Sequence, residues 1–549
     1  MQDYAKLRKA VEMQSNEMKR IHDVHIDYWK ECSMFFSPVR GRFLLSDKNK
    51  DFKKFHNIIN NTGLRALRTL VSGLMTGVTN PARPWFRLST PDPSLRESYN
   101  VKIYLEEVER RMRYVFQKSN LYNVLPQCYK ELGLFGTANL NIDEDFEKVI
   151  HCTNFTCGSY YIAQNDKLEV DTTIRRLNKT PRQLVREFGL DKVSAPVKSL
   201  YEKHNTEGDV SITVAIMPNE DRDFGRAMDK ENMPYIQVVY EDDAPKDKVL
   251  AVSGYHEFPQ ATPRWEAVGE DVYSISPCME ALGDNKQLQH EEKSKAKSLD
   301  KMNNPPLVAP ASMKNTPVSA LPSGITFEDS QSEGKGLRSL YEVRTPIGEL
   351  TNDIQEVQRR ISSALYEDLF LMLANDRRSG ITAREVEERH EEKLLMLGNV
   401  LQQLNNELLD PIIDRTFAIM ARNNLLPTPP EELQGVTLKI EYISVLHQAQ
   451  NAVALRAIER SYAFVSGLVG LYPEARHKFD SFQAIDEYGE YAGVPSKIIK
   501  TNDAASQAQK AEQQQQAQAQ AMEMMQQGAQ TAKDASQIDT EKLQELTGA

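Results

Sequence analysis

Five prolines lie within residues 303–324, between two segments that have the apolar spacing of helices. Because proline removes a backbone donor and clashes with the preceding helical turn, no helix continues through this stretch. Residues 279–302 before it have the pattern of a polar, charged helix, and residues 346–373 after it carry an apolar stripe at helical spacing. The sequence therefore predicts two helices joined by an irregular or short-stranded excursion.

The first of these helices is too polar to be stable alone. Its few large apolar side chains are Leu282, Leu288 and Leu299. A helix in water gains most of its stability by packing an apolar face against other elements. We therefore expect this helix to depend on its neighbours.

The other periodic segments predict an α+β protein that is predominantly helical. Alternating apolar residues predict antiparallel strands near 205–275, and residues 436–443 predict a further strand. Small residues such as Gly63 and Gly73 would let another backbone approach the second helix closely. Further helices are expected at residues 4–28, 57–77, between Thr180 and Gly189, and within 446–500. A capping box at Ser94 and Glu97 predicts the start of a helix that ends at about Ser119. A second capping box, at Thr382 and Glu385, predicts a helix that continues through a leucine stripe at 394–408.

Charge is distributed unevenly along the chain. Residues 1–130 hold 23 Lys plus Arg against 13 Asp plus Glu, a balance of +10, so the remainder carries −21 and the whole chain −11. The basic block at 40–54 fits a solvated face beside Asp47 and Asp51 better than a phosphate site. Charge alone therefore does not identify a nucleic-acid-binding protein.

The five scattered cysteines favour reduced thiols over a disulfide framework. His151, Cys152 and Cys157 fall short of the four ligands of a structural zinc site. No run approaches the roughly 20 apolar residues of a bilayer crossing, and the first residues lack the pattern of a secretory signal. We expect no metal, no cofactor and no membrane contact, and a protein that stays in the cytosol or in what is assembled there.

Motifs for nucleotide hydrolysis are absent from the sequence. Gly334, Lys335 and Gly336 only approximate a phosphate-cradling loop, so ATP hydrolysis is not expected. Two acidic clusters offer an alternative, because converging carboxylates can hold two metal ions for a nuclease. These clusters are Asp143, Glu144 and Asp145, and Glu241, Asp242 and Asp243. The competing hypothesis is therefore a metal-dependent nucleic-acid-processing enzyme.

Seven ordered strings carry a resemblance to a known family. The longest and most specific is RALRTLVSGLMTGVTNPARPWFRL at residues 65–88. The others are YW at 28–29 with PVRGRF at 38–43, LFGTA at 134–138, PRW at 263–265, NPPL at 304–307, ITAREV at 381–386 and ELLDP at 407–411. In these strings the chain resembles the head-to-tail connecting, or portal, proteins of short-tailed tailed bacteriophages.

The resemblance implies a portal-type fold with wing, stem, clip and crown, assembled as a ring. Residues 1–278 would form the wing, 279–302 and 346–373 the two stem helices, and 303–345 the clip between them. Residues 374–382 would form a channel loop, 383–445 a long helix and a strand returning to the wing, and 446–500 the crown. Residues 501–549, with 13 Gln and 11 Ala, would be disordered or form a helical barrel.

Proteins of this family form a dodecameric ring at one capsid vertex, through which the genome is packaged and ejected. The resemblance therefore implies a non-enzymatic channel for double-stranded DNA, located in the virion and, during assembly, in the host cytoplasm. Its partners would be further copies of itself, the major capsid protein, the scaffolding protein, the terminase and the tail adaptor.

A channel through which DNA slides needs few cations, because every neutralised phosphate adds affinity. The candidate contacts are Arg377 and Arg378 on the channel loop and Lys293, Lys295, Lys297 and Lys301 on the first stem helix. Both sets have a second interpretation. The arginines fit solvated or intersubunit pairs as well, and the lysines fit intersubunit pairs with Glu291, Glu292 and Asp300.

Overall fold

The structure is a computed structural model that describes residues 4–43, 58–92, 95, 98–204, 208–304, 307–308, 338–339, 346–374, 397–433, 438–442, 445–472, 474, 478–492 and isolated positions between 505 and 525. The chain divides into two compact units. The first comprises Met1–Trp85, Glu107–Pro427 and Ser444–Leu446, and the second comprises Phe86–Glu106, Thr428–Ile443 and His447–Ala549.

Helices dominate the part of the chain that the structure describes, as expected. In chain order they are α1 (Tyr4–Phe36), α2 (Thr62–Gly77), α3 (Tyr99–Lys118), α4 (Leu121–Phe135), α5 (Pro181–Phe188), α6 (Ala195–Glu202), α7 (Pro277–Glu280), α8 (Leu282–Asn303), α9 (Ile347–Ala364), α10 (Glu367–Ala374), α11 (Gly398–Leu404), α12 (Asp410–Arg422), α13 (Val445–Leu471) and α14 (Ser481–Ala492). A π-helical turn, Asn405–Leu409, joins α11 to α12, and a 3₁₀ turn lies at Glu431–Leu433.

The strands pair antiparallel in small sheets. They are β1 (Phe86–Ser89), β2 (Asn139–Asp145), β3 (Val149–Phe155), β4 (Tyr160–Gln164), β5 (Val170–Lys179), β6 (Val210–Pro218), β7 (Tyr235–Glu241), β8 (Ala251–Tyr255), β9 (Gln260–Ala261), β10 (Leu307–Val308), β11 (Arg338–Ser339) and β12 (Lys439–Tyr442). One sheet has the order β4-β5-β6-β7-β8 and another the order β3-β2-β9. The fold is therefore α+β.

The five-stranded sheet packs one face against α1. Side chains alternate between the two faces of a strand, and Ile174 and Val238 fall on the face that meets Val11 and Met18 of α1. Arg8 of α1 is 1% exposed and donates to the carbonyl oxygens of Pro245 (2.8 Å) and Lys248 (3.1 Å). The long first helix is thus fixed to the loop between β7 and β8.

The centre of the first unit is α4, most of whose apolar side chains are fully buried. Gly133 of α4 lies under Leu67 and Leu70 of α2, and a Cβ there would be 3.0 Å from Leu70 Cδ2. Glu131 of the same helix is buried and accepts from Thr156 Oγ1 (2.7 Å) and from the Cys157 amide (3.0 Å). Helix α4 therefore joins α2 to the turn between β3 and β4.

Within the second unit, β1 pairs with β12, with Phe86 opposite Tyr442 and Ser89 opposite Lys439. The Ser98 hydroxyl donates to Glu432 Oε2 (2.6 Å). The strand expected at 436–443 is therefore present at Lys439–Tyr442, next to positions 434–437, which the structure does not describe.

The antiparallel strands expected near 205–275 are present as β6 to β9. The strands β2 to β5, which lie within residues 139–179, were not expected. A single helix was expected at 346–373, but this expectation was wrong. The helix is interrupted between α9 and α10, where Tyr366 has a φ of 55°. The break is stabilised by the ring of Tyr366 beside Trp265, at 6.0 Å between centroids, and by the Ser362 hydroxyl, which donates to Glu367 Oε2 (2.6 Å).

Other expectations hold or lie outside the described residues. Helix α1 extends beyond residue 28 to Phe36. The capping box of α5 is present, since Thr180 N donates to Gln183 Oε1 (2.9 Å) and Gln183 N donates to Thr180 Oγ1 (3.3 Å). The capping boxes at Ser94 and Glu97 and at Thr382 and Glu385 include positions that the structure does not describe.

Candidate functional site

The candidate site is built on α8 and α9, which pack against each other. Val357 and Ile361 on the apolar stripe of α9 are fully buried. Arg360 of α9 reaches Asp284 Oδ1 (3.4 Å) and Gln287 Oε1 (3.3 Å) of α8. These contacts place the end of α9 beside the start of α8, so the two helices run antiparallel.

The polar side chains at the start of α8 anchor it to the rest of the first unit. Gln289 is 5% exposed, and its Oε1 accepts from the amides of Ile59 (2.7 Å) and Asn60 (2.8 Å). Its Nε2 donates to the carbonyl oxygen of Asn60 (2.9 Å). Asn285 is 1% exposed and donates to the carbonyl oxygen of Phe35 (3.1 Å). Buried amides with satisfied hydrogen bonds therefore replace the apolar contacts that the sequence lacks.

Three of the four candidate lysines share the exposed face of α8. Lys293, Lys297 and Lys301 are exposed and follow one another at intervals of four residues, which places them on one face of the helix. Lys295 is half-buried on another side of α8. Among the described residues, none of the four makes an ion pair within 4.0 Å, so their charges are available to a partner.

The acids expected to pair with these lysines have other contacts within the subunit. Glu291 is 9% exposed and accepts from Gln287 Nε2 (2.6 Å), and Glu292 Oε1 accepts from Asn60 Nδ2 (2.8 Å). Asp300 is exposed. Of the three expected acidic partners, Glu292 is thus bound to the segment before α2 and Glu291 to its own helix.

The two candidate arginines, Arg377 and Arg378, lie outside the described residues, as does Gly334–Gly336. The helix that precedes the arginines is α10, and it is anchored on α2. Phe370 packs on Gly73, and Arg65 Nε lies 3.3 Å from Glu367 Oε1. This described stretch of the chain thus ends, at residue 374, in a helix that is fixed on α2.

The two acidic clusters do not converge. Asp145 Oδ1 accepts from the amides of Glu147 (2.8 Å) and Lys148 (2.7 Å), and these hydrogen bonds lower its pKa. Asp242 accepts from the hydroxyls of Ser211 and Thr213, each at 2.6 Å. Among the residues that the structure describes, no group of three or more His, Cys, Asp or Glu side chains could hold a metal ion.

All five cysteines are buried and unpaired, and burial raises the pKa of Cys32 to about 12. No helix in the described part of the chain is both long enough and apolar enough to span a bilayer.

Three of the recognised strings meet around Arg264, which sequence reasoning did not single out. This residue of the PRW string is 4% exposed, and it donates from its amide to Glu407 Oε2 (2.8 Å) and from Nε to Glu407 Oε1 (2.9 Å). Glu407 begins the ELLDP string. The Trp265 amide donates to the carbonyl oxygen of Gly136 (2.8 Å) in the LFGTA string.

Gly136 shows why one of these strings needs a glycine. Its φ is 78°, in the left-handed region, and a Cβ there would collide with the carbonyl oxygen of Ser274. The strings around Arg264 therefore connect parts of the first unit, because Arg264 and Trp265 bond to Glu407 and Gly136 from distant parts of the chain.

Comparisons with known proteins agree with these strings. The profile of the family described as bacteriophage head to tail connecting protein matches residues 8–499. A probable portal protein of Bordetella phage BPP-1 is 43% identical over 542 residues, covering 98% of this chain and 97% of that protein. A portal protein of Salmonella phage epsilon15 is 46% identical over 521 residues, covering 95% of this chain and 94% of that protein.

A solved structure, the neck of an empty GTA particle computed with C6 symmetry, matches with a TM-score of 0.35 and 11% identity, over 79% of this chain and 93% of that chain. The family profile and the two phage proteins each extend over most of the chain. This chain therefore belongs to the family of bacteriophage head-to-tail connecting proteins.

Proposed function

We propose that this chain is a portal protein, a structural component of the virion at the junction of head and tail. The observation that carries the proposal is the extent of the similarity. Two phage proteins that bear the name portal protein, one of them as probable, align with 98% and 95% of this chain. The acidic clusters support no metal-dependent alternative, because their carboxylates bind backbone amides and hydroxyls.

The subunits would assemble as a dodecameric ring at one capsid vertex, with double-stranded DNA passing through the centre during packaging and ejection. The major capsid protein, the scaffolding protein, the terminase and the tail adaptor would be the other partners, and the host cytoplasm the place of assembly. The exposed lysines of α8 support assembly, because they have no ion pair within the described part of the subunit.

We assign the regions as the family resemblance implies. Residues 1–278 would be the wing, 279–302 and 346–373 the stem, 303–345 the clip, 374–382 the channel loop, 383–445 the return to the wing and 446–500 the crown. The antiparallel pairing of α8 and α9 supports the stem assignment. In an antiparallel pair, the end of α8 and the start of α9 lie at the same end. The segment 303–345, which connects them, would then lie at that end of the pair, as a clip does.

The negative net charge of the chain is compatible with a channel for DNA. Twelve copies at −11 each would total −132, and a negatively charged lumen with few cations lets the duplex slide. Arg377 and Arg378 would touch phosphates at the channel loop. Lys293, Lys297 and Lys301 fit pairing between subunits better than DNA contact, because three cations per subunit in the lumen would retain the duplex.

Electron-microscopic class averages of the purified protein, viewed end-on, test this proposal. Rings with a central hole wide enough for a double helix are expected, and the same preparation should release no phosphate from ATP. The number of subunits is counted from the rotational symmetry of the averages. Compact particles without a hole, found both in the isolated protein and in mixtures with the scaffolding protein, would overturn the proposal.

A further inference from the structure

A partly open cavity of about 360 Å³ lies between the five-stranded sheet and the three-stranded sheet of the first unit. One face of the five-stranded sheet is covered by α1. The opposite face carries Thr173 and Arg175 of β5 and Gln237 of β7, and these side chains line the cavity. Asn141 and Asp143 of β2 line it from the other sheet. Apolar side chains such as Leu177 and Val239 line it as well, so the cavity has a mixed lining in which the polar groups are few and specific.

The polar side chains that the five-stranded sheet contributes to this cavity are mainly hydrogen-bond donors. Thr173 is 1% exposed, and its Oγ1 has no hydrogen-bond partner among the described residues. Gln237 Oε1 already accepts from Ser253 Oγ (3.0 Å) and Tyr255 Oη (3.1 Å). The groups of Gln237 that remain for a ligand are therefore its amide N–H donors.

Arg175 is the strongest of these donors and has no counter-ion in contact. Its guanidinium carbon lies 3.7 Å from the ring centroid of Phe155, and its buried Nε has no hydrogen-bond partner within the described part of the chain. Burial lowers the pKa of Arg175 to about 10, with Arg42 adding to this effect and Asp143 opposing it. A partly buried cation that lacks a direct ion-pair partner is costly, so an anion in contact with it would stabilise the fold.

The two acids that line the cavity have contacts of their own. Asp143 Oδ2 accepts from Asn141 Nδ2 (2.6 Å), and no oxygen of Asp143 lies within 4.0 Å of the Arg175 guanidinium. Glu187 pairs with Lys179, which also lines the cavity. The fork of N–H groups on Arg175 therefore has room for a ligand, and its geometry matches a carboxylate or a phosphate.

We propose that this cavity binds an oxyanion, a carboxylate or a phosphate group, with Arg175 as its main ligand and Thr173 and Gln237 as further donors. The inference goes beyond the channel function, because the site lies on the sheets of the first unit and not on the helices assigned to the stem. It also holds whether or not the chain forms a ring.

Thermal unfolding in sodium phosphate and in sodium acetate, each compared with sodium chloride at matched ionic strength, tests the proposal. The variant is Arg175→Met, which keeps an unbranched apolar stem on Phe155. The matched control is Arg176→Met, because Arg176 is the next residue of β5 and already has a partner, Asp242 Oδ2, at 3.5 Å. Phosphate stabilises many proteins non-specifically, so the comparison is between variants.

The wild-type protein and Arg176→Met should unfold at a higher temperature in one or both oxyanions, and Arg175→Met should lose that increase. Arg175→Met should also fold in chloride, because methionine keeps an apolar stem on Phe155 and the charge that it removes is partly buried and has no ion-pair partner. No increase in the wild type, or an equal increase in Arg175→Met, would overturn the proposal.

The same measurement separates two sources of the oxyanion. A response that is equal in single subunits and in assembled rings means that the anion comes from solution. A response that is present in single subunits and lost in rings means that a carboxylate of a second copy fills the cavity, an outcome that also depends on the proposed ring. Titration calorimetry with inorganic phosphate on the wild type and on both variants provides the direct binding constant.

Discussion

The aromatic ring of Phe370 in α10 lies directly over Gly73 in α2, so closely that a Cβ at Gly73 would collide with it. Phe370 is 5% exposed, and Leu369 beside it is 1% exposed. The close approach expected at Gly73 is therefore made by an aromatic side chain. Because α10 precedes residue 375, this contact fixes the point from which the chain enters the segment that contains Arg377 and Arg378.

Replacement of Gly73 by alanine should destabilise the first unit. The added methyl group has no space, so the ring of Phe370 must move, and overpacking of this kind costs about 1–3 kcal/mol. Gly283→Ala is the matched control, because Gly283 lies in α8 with nothing within 4 Å of an added Cβ. Alanine there should be neutral or stabilise by up to about 1 kcal/mol. Urea unfolding of both variants measures the difference, and equal stabilities would refute the packing argument.

Replacement of Glu407 by glutamine should strongly destabilise the folded subunit, although it removes only one charge. Arg264 is 4% exposed and would lose its ionic partner, and breaking a buried pair typically costs about 3–5 kcal/mol. Glu107→Gln is the control, because Glu107 pairs with Arg110 and Arg111 on the surface, where such pairs contribute little. Denaturant unfolding should show a large loss for the first variant and almost none for the second. A small loss at Glu407 would contradict the prediction.

His22 should make the protein less stable in weak acid. This residue of α1 is 2% exposed, and its ring lies 4.8 Å from that of Tyr161 and 5.1 Å from that of Trp29. Burial lowers the pKa of His22 to about 4, against an opposing hydrogen bond with Asp23. Between about pH 6.5 and pH 4 the unfolded chain binds a proton that the folded chain does not. Stability should therefore fall by about 3 kcal/mol as the pH drops through this window.

The variant His22→Phe isolates this effect, because it keeps an aromatic ring and removes the titrating group. The free energy of unfolding is measured in urea at several pH values between 4 and 7. The wild type should lose about 3 kcal/mol more than the variant over this range. Parallel pH profiles for the two proteins would show that His22 is not buried in its neutral form.

The helices were predictable where local signals were strong. Thr180, Pro181 and Gln183 specify the start of α5 through a capping box that needs no distant partner. The stripe of Ile354, Val357 and Ile361 likewise predicts α9, since burial follows the helical period. The break at Tyr366 was not predictable, because no glycine or proline marks it and the contact with Trp265 comes from a distant part of the chain.

The strands β2 to β5 were missed for a physical reason. In β5, Arg175 and Lys179 face the cavity between the two sheets, so the strand does not alternate simply between apolar and polar residues. Strand propensity depends on the partner strand and on the face that is buried, and both are set by long-range pairing. The anchoring amides Asn285 and Gln289 were missed for the same reason, since their burial depends on Phe35 and Asn60.

The candidate site was predictable in part. Exposure of Lys293, Lys297 and Lys301 follows from their spacing on a polar helix. The contacts of Glu291 and Glu292 within the subunit could not be inferred, because they depend on Gln287 and Asn60. What the lysines bind depends on the assembly and stays a prediction.

Replacement of Lys293, Lys297 and Lys301 together by glutamine should weaken the ring and leave the subunit intact. The three side chains are exposed and have no ion pair among the described residues, so the free energy of unfolding of the subunit should change by less than about 0.5 kcal/mol. If they pair with acids of neighbouring copies, rings should dissociate at a higher protein concentration than the wild type. Light scattering over a dilution series measures this.

The control for the lysine variant replaces Lys167, Lys192 and Lys203, which are exposed elsewhere in the first unit. It removes the same charge from the subunit and should assemble as the wild type does. Unaltered assembly of the Lys293, Lys297 and Lys301 variant would contradict pairing between subunits. A loss of DNA retention in such intact rings would instead assign these lysines to the duplex.

The double variant Arg377→Ala with Arg378→Ala should form rings that retain less DNA. The two arginines are expected on the channel loop, where each phosphate contact would add a cation to the path of the duplex. Removal of one such contact lowers the slope of log affinity against log salt by about 0.9, so DNA retained in filled heads should become less sensitive to salt. Arg359→Ala is the control, because Arg359 is exposed on α9, where no phosphate contact is expected. DNA retention and ring assembly are measured on the same preparations, and unaltered retention in the double variant would refute the contact.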